Sequence, residues 1–158
     1  MVASDGEATA TSDREIVLTR VFDAPRELVF EAWTDPAQVV HWWGPFGFTT
    51  TIQEMDVRPG GIWRFVMHGP DGTDYPNRVE FLEVVEPERL VYSHGPEGES
   101  PIKEFHVTVT FEDEDGKTQL TMKLVAESAA ERDRMVEFGA VEGGWQTLER
   151  LGEHLAKS

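Results

Sequence analysis

Four clusters of turn-forming residues divide the middle of the chain into strand-length segments. They are Pro-Gly-Gly at 59–61, Pro-Asp-Gly at 70–72, Glu-Pro-Glu at 86–88 and Asp-Glu-Asp-Gly at 113–116. Glycine, proline and aspartate in such clusters favour tight turns. The segments around them are rich in β-branched and aromatic residues: FTTTIQEMDV, IWRFVMH, RVEFLEVV, RLVYSH, FHVTVTF and TQLTMKLV. Six strands joined by turns predict an antiparallel meander.

The part of the chain before the meander predicts one more strand and two short helices. The run EIVLTRVF at 15–22 is β-branched and partly alternating, which is typical of a strand. Pro25 suits the first turn of a helix, where its missing N–H costs nothing. Apolar residues then follow at helical spacing: Leu28, Val29, Ala32 and Trp33. Asp35 and Gln38 occupy the N-cap and capping-box positions of a second helix.

The C-terminal segment predicts a long amphipathic helix. Ser128 followed by Glu131 matches a capping box. Apolar residues then recur every three or four positions and form one stripe: Met135, Phe138, Val141, Trp145, Leu148, Leu151 and Leu155. Gly139, Gly143 and Gly144 lie within this stripe, although a glycine in a helix interior costs about 1 kcal/mol relative to alanine. We therefore expect a kink or break near them, or a close approach of the helix backbone to the sheet or a ligand.

These elements can bury their apolar faces together only if a curved sheet wraps around the C-terminal helix. The predicted class is therefore α+β, with a helix-grip fold. It has a seven-stranded curved antiparallel sheet around the long C-terminal helix, and two short helices between strands 1 and 2. A chain of 158 residues fits one such domain, over 14–158. Residues 1–13 carry small or polar side chains and predict a disordered N-terminal tail.

Charge and composition restrict the partners. The chain has 30 acidic and 14 basic residues, a net charge of −16, which repels nucleic acids and anionic lipid surfaces. We therefore expect an acidic protein with no nucleic-acid and no membrane partner. No segment approaches the roughly 20 apolar residues of a membrane span, and the start lacks the pattern of a signal peptide, so we expect a cytoplasmic protein. The absence of cysteine excludes disulfides and thiol catalysis.

The sequence contains no catalytic, cofactor or metal signature. The five histidines show no HxH or HExxH spacing, and there is no GxSxG, no Walker loop and no GxGxxG after a strand. We therefore predict no catalytic residues, no metal site and no cofactor. His68 and His94 end predicted strands, where hydrogen bonding at a turn or pocket rim is expected. Asp56 and Arg58 flank the 59–61 turn and predict an ion pair that braces it.

Five motifs together resemble a known family: FDAPRELVFEAWTDP at 22–36, HWWGPFGFTT at 41–50, DVRPGGIWRFVMHGPDG at 56–72, EPERLVYSH at 86–94 and EGGWQTLERLGEHL at 142–155. They are similar to the START-like domains of the SRPBCC superfamily, and within it to the branch of activator of heat-shock chaperone ATPase homologues. The resemblance covers about residues 14–156. It implies a cavity between sheet and C-terminal helix that binds small apolar or amphipathic molecules. The name of the branch also implies a chaperone partner and a role in the stress response.

Aromatic and methionine residues predict the lining of this cavity. By the period of two in a strand, Trp63, Phe65 and Met67 share one face, and Arg64 lies on the other. Bulky aromatics and flexible methionines between a sheet and one helix are typical of a ligand cavity. The predicted ligand-binding residues are Trp43, Trp63, Phe65, Met67, Tyr92, His94, Met122, Met135, Phe138 and Trp145.

Three functions remain open. The leading hypothesis is binding of a small hydrophobic or amphipathic molecule in the cavity. One alternative is an enzyme similar to polyketide cyclases or dehydratases, which folds its substrate in a shaped pocket, with Tyr92, His94 and Arg64 as the groups to test. The other is a co-regulator of a chaperone ATPase, and a homodimer is a further candidate assembly. If the aromatics surround a void, Trp63→Ala should weaken ligand binding and leave a folded protein, because a cavity wall loses less packing than a filled core.

Overall fold

The computed structural model describes residues 13–98 and 102–157, so the predicted tail at 1–13 lies, except for Asp13, outside the described residues. The elements in chain order are β1 (Glu15–Phe22), α1 (Arg26–Thr34), α2 (Pro36–Trp42), β2 (Thr49–Met55), β3 (Ile62–His68), β4 (Asp74–Val85), β5 (Arg89–Pro96), β6 (Phe105–Glu114), β7 (Lys117–Val125), α3 (Ala129–Glu137) and α4 (Ala140–Ala156).

The seven strands form one antiparallel sheet in the order β1-β7-β6-β5-β4-β3-β2. Strands β2 to β7 are the predicted meander, in which each strand pairs with the next along the chain. Strand β1 extends the sheet at the far end by pairing with β7, so that Glu15 lies opposite Val125 and Phe22 opposite Thr118. The helix-grip architecture is therefore confirmed.

The core lies between the concave face of the sheet and the helices. Alternate residues of the central strands are buried there, as the period of two requires: Trp63, Phe65, Val79, Phe81, Leu90, Tyr92, Val107, Val109 and Phe111. Helix α4 contributes Leu148 and Leu151, which are also buried. Near α1 and α2, the indole of Trp42 donates to the carbonyl oxygen of Ala32 at 3.1 Å, so this tryptophan closes the junction of the two short helices.

The predicted C-terminal helix is divided at Gly139, which confirms the expected break. Gly139 has φ of 94°, a left-handed conformation that suits glycine, and it stands at the N-cap of α4. The preceding helix α3 begins as predicted, because the Ser128 side chain accepts a hydrogen bond from the Glu131 N–H at 3.2 Å. Only Met135 of α3 is buried among the described residues. The C-terminal region therefore consists of a short surface helix followed by the long core helix.

The other two glycines of this region, Gly143 and Gly144, allow the helix backbone to approach the sheet closely, as the sequence predicts. A Cβ atom on Gly144 would lie 2.5 Å from Cδ1 of Leu18 in β1. A Cβ atom on Gly143 would lie 3.3 Å from Cγ of Pro45, in the loop between α2 and β2. The missing side chains thus let α4 contact both the sheet and this loop.

The turn between β2 and β3 is built around the predicted ion pair and a tightly placed glycine. Arg58 Nε lies 2.7 Å from Asp56 Oδ2, so the predicted pair is confirmed. Gly61 donates its N–H to the carbonyl oxygen of Arg58 at 2.7 Å and accepts from the N–H of Phe81 at 2.9 Å. A Cβ atom on Gly61 would lie 2.0 Å from the carbonyl oxygen of Asp56. The backbone therefore leaves no room for a side chain at this position.

Candidate functional site

The predicted ligand-binding residues separate by their burial. Five are buried: Trp43, Trp63, Phe65, Tyr92 and Met135. Four are half-buried: Met67, His94, Met122 and Trp145. The structure places Phe138 apart from these, at the end of α3 with 59% of its surface exposed. The half-buried residues keep accessible surface, and four of the five buried ones, all but Met135, belong to one packed aromatic layer.

This packed layer is an aromatic floor made of Trp43, Trp63, Phe65, Phe81 and Tyr92. The ring centroids of Trp43 and Trp63 lie 4.8 Å apart, and those of Trp63 and Phe65 lie 4.3 Å apart. Phe81 connects the two sides of the floor, because its ring lies 6.4 Å from Trp63 and 6.0 Å from Tyr92. Such ring pairs add packing energy to the burial of their area. The floor is thus a well-filled part of the core.

His94 lies among these rings. Its centroid is 5.8 Å from Phe65 and 5.0 Å from Phe105, and it also lies near Trp43 and Tyr92. Its Nε2 lies 2.9 Å from Oδ1 of Asn77 on the neighbouring strand. The prediction of a hydrogen-bonding histidine at this strand end is therefore confirmed.

The orientation of Asn77 determines which nitrogen of His94 carries the proton. Asn77 Nδ2 donates to the carbonyl oxygen of Tyr75 at 2.8 Å, which leaves its Oδ1 directed at His94. His94 Nε2 is therefore the donor, and Nδ1 of the neutral ring is an acceptor. Burial lowers the pKa of His94 to about 4, because desolvation disfavours the charged ring. At neutral pH the site therefore holds an uncharged histidine.

The lowered pKa of His94 predicts a loss of stability on acidification. A histidine in the unfolded chain has a pKa near 6.5, so the unfolded chain binds a proton below about pH 6.5. In the folded chain His94 binds this proton only near about pH 4, which favours unfolding between the two values. The contribution of His94 to the free energy of unfolding is therefore complete above that range and is lost as pH falls through it. His94→Gln should flatten the decline in this free energy between about pH 7 and about pH 5, measured by urea denaturation. The exposed His106→Gln is the control, and parallel curves for all three proteins would contradict the prediction.

Three buried polar atoms have no hydrogen-bond partner within the described residues. They are Nε1 of Trp33, Nε1 of Trp63 and the hydroxyl oxygen of Tyr92. Burial raises the pKa of Tyr92, so that its phenol keeps its proton at any physiological pH. Two of the three atoms, those of Trp63 and Tyr92, belong to the aromatic floor. The floor therefore contains two hydrogen-bond donors that none of the described residues satisfies.

Six half-buried apolar residues from β3, β6, β7, α4 and the segment before β6 form what we call the rim. These residues pack against the buried core but keep accessible surface: Met67, Ile102, Phe105, Met122, Val141 and Trp145. Phe105, Ile102 and Val141 were not among the predicted ligand-binding residues. The position of Phe105 could have been inferred, because it lies two residues before the buried Val107 on β6 and so shares its face.

The opposite face of the sheet holds the charged residues of this region. Arg64 Nε lies 2.9 Å from Glu97 Oε2, and its Nη1 lies 3.4 Å from Glu54 Oε2. His68 bonds Thr51 through Nε2 and Asp74 through Nδ1, both at 2.8 Å. Arg64 therefore cannot act together with Tyr92 and His94, which removes one of the three groups that the enzyme hypothesis named.

Arg150 of α4 holds the loop that carries Trp43. Its Nη1 lies 3.0 Å from the carbonyl oxygens of Gly44 and Phe48 and 3.1 Å from that of Pro45. Burial lowers the pKa of Arg150, because the guanidinium is partly desolvated. Sequence reasoning missed this residue, since an isolated arginine on a helix gives no signal of the carbonyls that it meets in space.

Replacing Arg150 should release this loop. We expect Arg150→Met to lower the free energy of unfolding by about 2 kcal/mol, because partly buried carbonyls lose charge-assisted hydrogen bonds. Arg150→Lys should recover only part of this, since one ammonium group cannot reproduce the planar set of donors. Urea denaturation measures both values. A lysine variant as stable as the wild type would show that charge alone matters here.

Within residues 13–98 and 102–157, no group of three histidine, aspartate or glutamate side chains is placed to hold a metal ion. No helix in these ranges is long and apolar enough to cross a membrane. A cavity of about 310 Å³ lies among α1, α2 and α4 and is lined by Leu28, Glu31, Gln38, His154 and Leu155.

The architecture defines a START-like, helix-grip protein of the SRPBCC superfamily. Its defining features are the curved antiparallel sheet, the two short helices after β1 and the long helix on the concave face. A family model described as "Activator of Hsp90 ATPase homolog 1-like protein" matches residues 23–156. The chain belongs to this family, and the resemblance found in its motifs is confirmed. No curated protein matches the sequence.

Solved structures show the same fold. A solution structure of a protein from Arthrobacter aurescens has 28% identity and a TM-score of 0.87, and the match covers 92% of this chain and 88% of that one. A crystal structure of a protein from Mycobacterium smegmatis has 25% identity and a TM-score of 0.85, covering 95% and 94%. A protein from Rhodobacter sphaeroides has 24% identity and a TM-score of 0.84, covering 94% and 97%.

Proposed function

We propose that the protein binds a small hydrophobic or amphipathic molecule between the concave face of the sheet and helix α4. The observation that carries this proposal is the half-buried rim. Its members, among them Phe105, Met122 and Trp145, pack against the core that contains the aromatic floor and keep accessible surface. Apolar surface gains about 25 cal/mol per Å² when a ligand removes it from water. Methionine side chains adapt to irregular ligand shapes, which suits a site bordered by Met67 and Met122.

The polar groups of the site support binding more than catalysis. His94 is uncharged and its Nε2 already bonds Asn77. Tyr92 keeps its proton, so it is not a general base at neutral pH. Arg64, the third group of the enzyme hypothesis, faces the other side of the sheet. Of the three groups only His94 keeps accessible surface on the inner face of the sheet, so we propose binding and no reaction there.

A neutral fluorescent probe tests the proposal. N-phenyl-1-naphthylamine should become brighter when the protein binds it, because its emission rises in apolar surroundings. We expect Trp145→Ala to weaken this binding about tenfold, since the variant loses roughly 1.4 kcal/mol of apolar contact. The matched control is Phe138→Ala, which removes an exposed aromatic from the neighbouring helix end and should leave the affinity unchanged.

Two results would count against this function. The probe could fail to brighten with the wild-type protein at any concentration, which would mean that no apolar site is open to a small molecule. Alternatively, Phe138→Ala could weaken the probe as much as Trp145→Ala does. The probe would then bind the exposed end of α3, and the sheet and α4 would not form the site.

A further inference from the structure

Three polar side chains on the outer face of the sheet form a connected set: Thr51, His68 and Asp74. Oγ1 of Thr51 lies 2.8 Å from Nε2 of His68, and Nδ1 of the same ring lies 2.8 Å from Oδ1 of Asp74. Serine hydrolases use this order of contacts, a hydroxyl bonded to an imidazole that a carboxylate holds, and threonine can replace the serine. The set therefore contains a nucleophile, a base and a carboxylate that positions the base.

The pairing of three strands brings these residues together. His68, the last residue of β3, pairs with Asp74 of β4 on one side and with Thr49 of β2 on the other. Thr51 lies two residues farther along β2 and therefore on the same face as Thr49, from which it reaches the ring diagonally. No sequence motif joins residues so far apart in the chain, which is why sequence reasoning predicted no catalytic residue.

The hydrogen bonds fix which nitrogen of His68 carries the proton. An ionised carboxylate only accepts hydrogen bonds, so Asp74 Oδ1 accepts from the Nδ1–H of His68. Nε2 of the neutral ring then carries no proton, and the Thr51 hydroxyl donates to it. A general base needs this tautomer, because the nitrogen that faces the nucleophile must be able to take its proton.

The three side chains are open to solvent, so an incoming carbonyl carbon can reach the hydroxyl. Thr51 is exposed, and the side chains of His68 and Asp74 are 37% and 61% exposed. On an open surface, water faces the carbonyl oxygen that becomes negative in the transition state, so fixed donors stabilise it little. This restricts the substrate to esters whose leaving group departs readily, such as the phenolate of an aryl ester.

We propose that Thr51 and His68 form a second site, on the outer face of the sheet, that hydrolyses aryl esters of small acids. The Thr51 oxygen bonds to the acyl carbon, its proton passes to His68 Nε2, and the bond to the phenolate breaks. The phenolate takes this proton and leaves as a phenol. Water then bonds to the acyl carbon and gives a proton to His68, and the Thr51 oxygen takes that proton back as the carboxylic acid leaves. Asp74 is a positioning residue, because it holds the ring in the required tautomer.

Release of 4-nitrophenolate from 4-nitrophenyl acetate tests this activity in the full chain. A positioned general base contributes about 10²–10⁴-fold in an enclosed site, and less where it is exposed. We therefore expect Thr51→Val and His68→Gln each to lower the second-order rate constant about tenfold. The matched control is Thr49→Val, which removes an exposed hydroxyl opposite His68 on the same face. His106→Gln removes another exposed histidine, and both controls should keep the wild-type rate.

Two further measurements separate the roles of the three residues. The acyl group of 4-nitrophenyl trimethylacetate is bulky and leaves the protein slowly, so peptide mass spectrometry should find it on Thr51. NMR of the ¹⁵N-labelled imidazole should show the Nδ1–H tautomer of His68 in the wild type. Asp74→Asn should lower the population of this tautomer and the rate together, because an amide can donate as well as accept.

Several results would overturn the proposal. If Thr51→Val keeps the wild-type rate, or if the trimethylacetyl group is found only on other side chains, Thr51 is not the nucleophile. An equal loss of rate in Thr49→Val would assign the effect to the edge strand and not to the hydroxyl that contacts His68. An Nε2–H tautomer in the wild type would mean that His68 cannot take the proton of Thr51. None of these measurements involves the inner face, so they leave the proposed ligand site to its own test.

Discussion

Gly61→Ala is expected to destabilise the protein by about 3 kcal/mol or more, the range of severe overpacking. The new Cβ atom would lie 2.0 Å from the carbonyl oxygen of Asp56, and real Cβ contacts are never so short. Backbone atoms cannot rotate away as a flexible side chain can. The turn would have to open, and with it the hydrogen bonds that join Gly60 and Gly61 to Phe81. Urea denaturation at neutral pH measures the loss.

The neighbouring glycine is the control for this prediction. Gly60 has φ of 84°, and a Cβ atom built on it meets nothing within 4 Å. Gly60→Ala should therefore lower the free energy of unfolding by only about 1–2 kcal/mol, the cost of an alanine in a left-handed backbone conformation. If the two variants were equally stable, the close contact with Asp56 would not limit this turn, and the prediction would be wrong.

Trp63→Ala is expected to lower the free energy of unfolding by about 3–5 kcal/mol, as for a large aromatic in a filled core. This differs from the expectation drawn from the sequence, in which Trp63 lined a void and could be truncated at little cost. The structure places the ring at 1% exposure, in contact with Trp43 and Phe65. Thermal and urea unfolding distinguish the two cases.

Trp145→Ala is the comparison for this variant, because Trp145 is half-buried on the helix that faces the sheet. Its truncation should cost clearly less stability than that of Trp63. Nearly equal losses would mean that Trp145 belongs to the core as fully as Trp63 does. A small loss for Trp63→Ala would instead support a void beside the aromatic floor.

The strands were well predicted where turn residues and alternation agree. Strand β3 has the predicted limits, Ile62–His68. Strand β4 is longer than the predicted segment at 78–85, because it begins at Asp74 and passes through Pro76. Proline normally excludes a central strand, since it has no N–H to donate. Here Pro76 lies one residue beyond the last β4–β5 pair, Asn77 with Pro96, so its missing N–H breaks no pair of that ladder. Its carbonyl oxygen still accepts from the N–H of Glu97 at 3.0 Å. The sequence cannot reveal where a neighbouring strand stops.

The helical periodicity of the sequence placed Phe138 wrongly, because the apolar pattern continues across the break at Gly139. Phe138 continues the apolar stripe of the C-terminal segment only if the helix is uninterrupted. Gly139 takes a left-handed conformation and changes the direction of the chain, so the stripe of α4 starts anew after it. Phe138 is left exposed at the end of α3. The three glycines predicted a break or a close approach, and the structure has both, at different glycines.

The degree of burial in the site could not be predicted from the pattern. Alternation correctly placed Trp63 and Phe65 on the inner face, but it does not distinguish a filled floor from a cavity wall. That distinction depends on the distance between α4 and the sheet. The close contact of Gly144 with Leu18 determines this distance. Asn77 was missed for a related reason, because its role depends on the strand register that brings it to His94.

The place of β1 in the sheet has a consequence for the order of folding. Strands β2 to β7 pair with their sequence neighbours, whereas β1 pairs only with β7, about a hundred residues later. Such distant contacts are slow to form, because a long loop must close before any pairing is gained. During synthesis, β1 leaves the ribosome long before its partner and has no strand to join. We expect the sheet to be completed only after Lys117–Val125 has emerged, with β6 as an open edge until then.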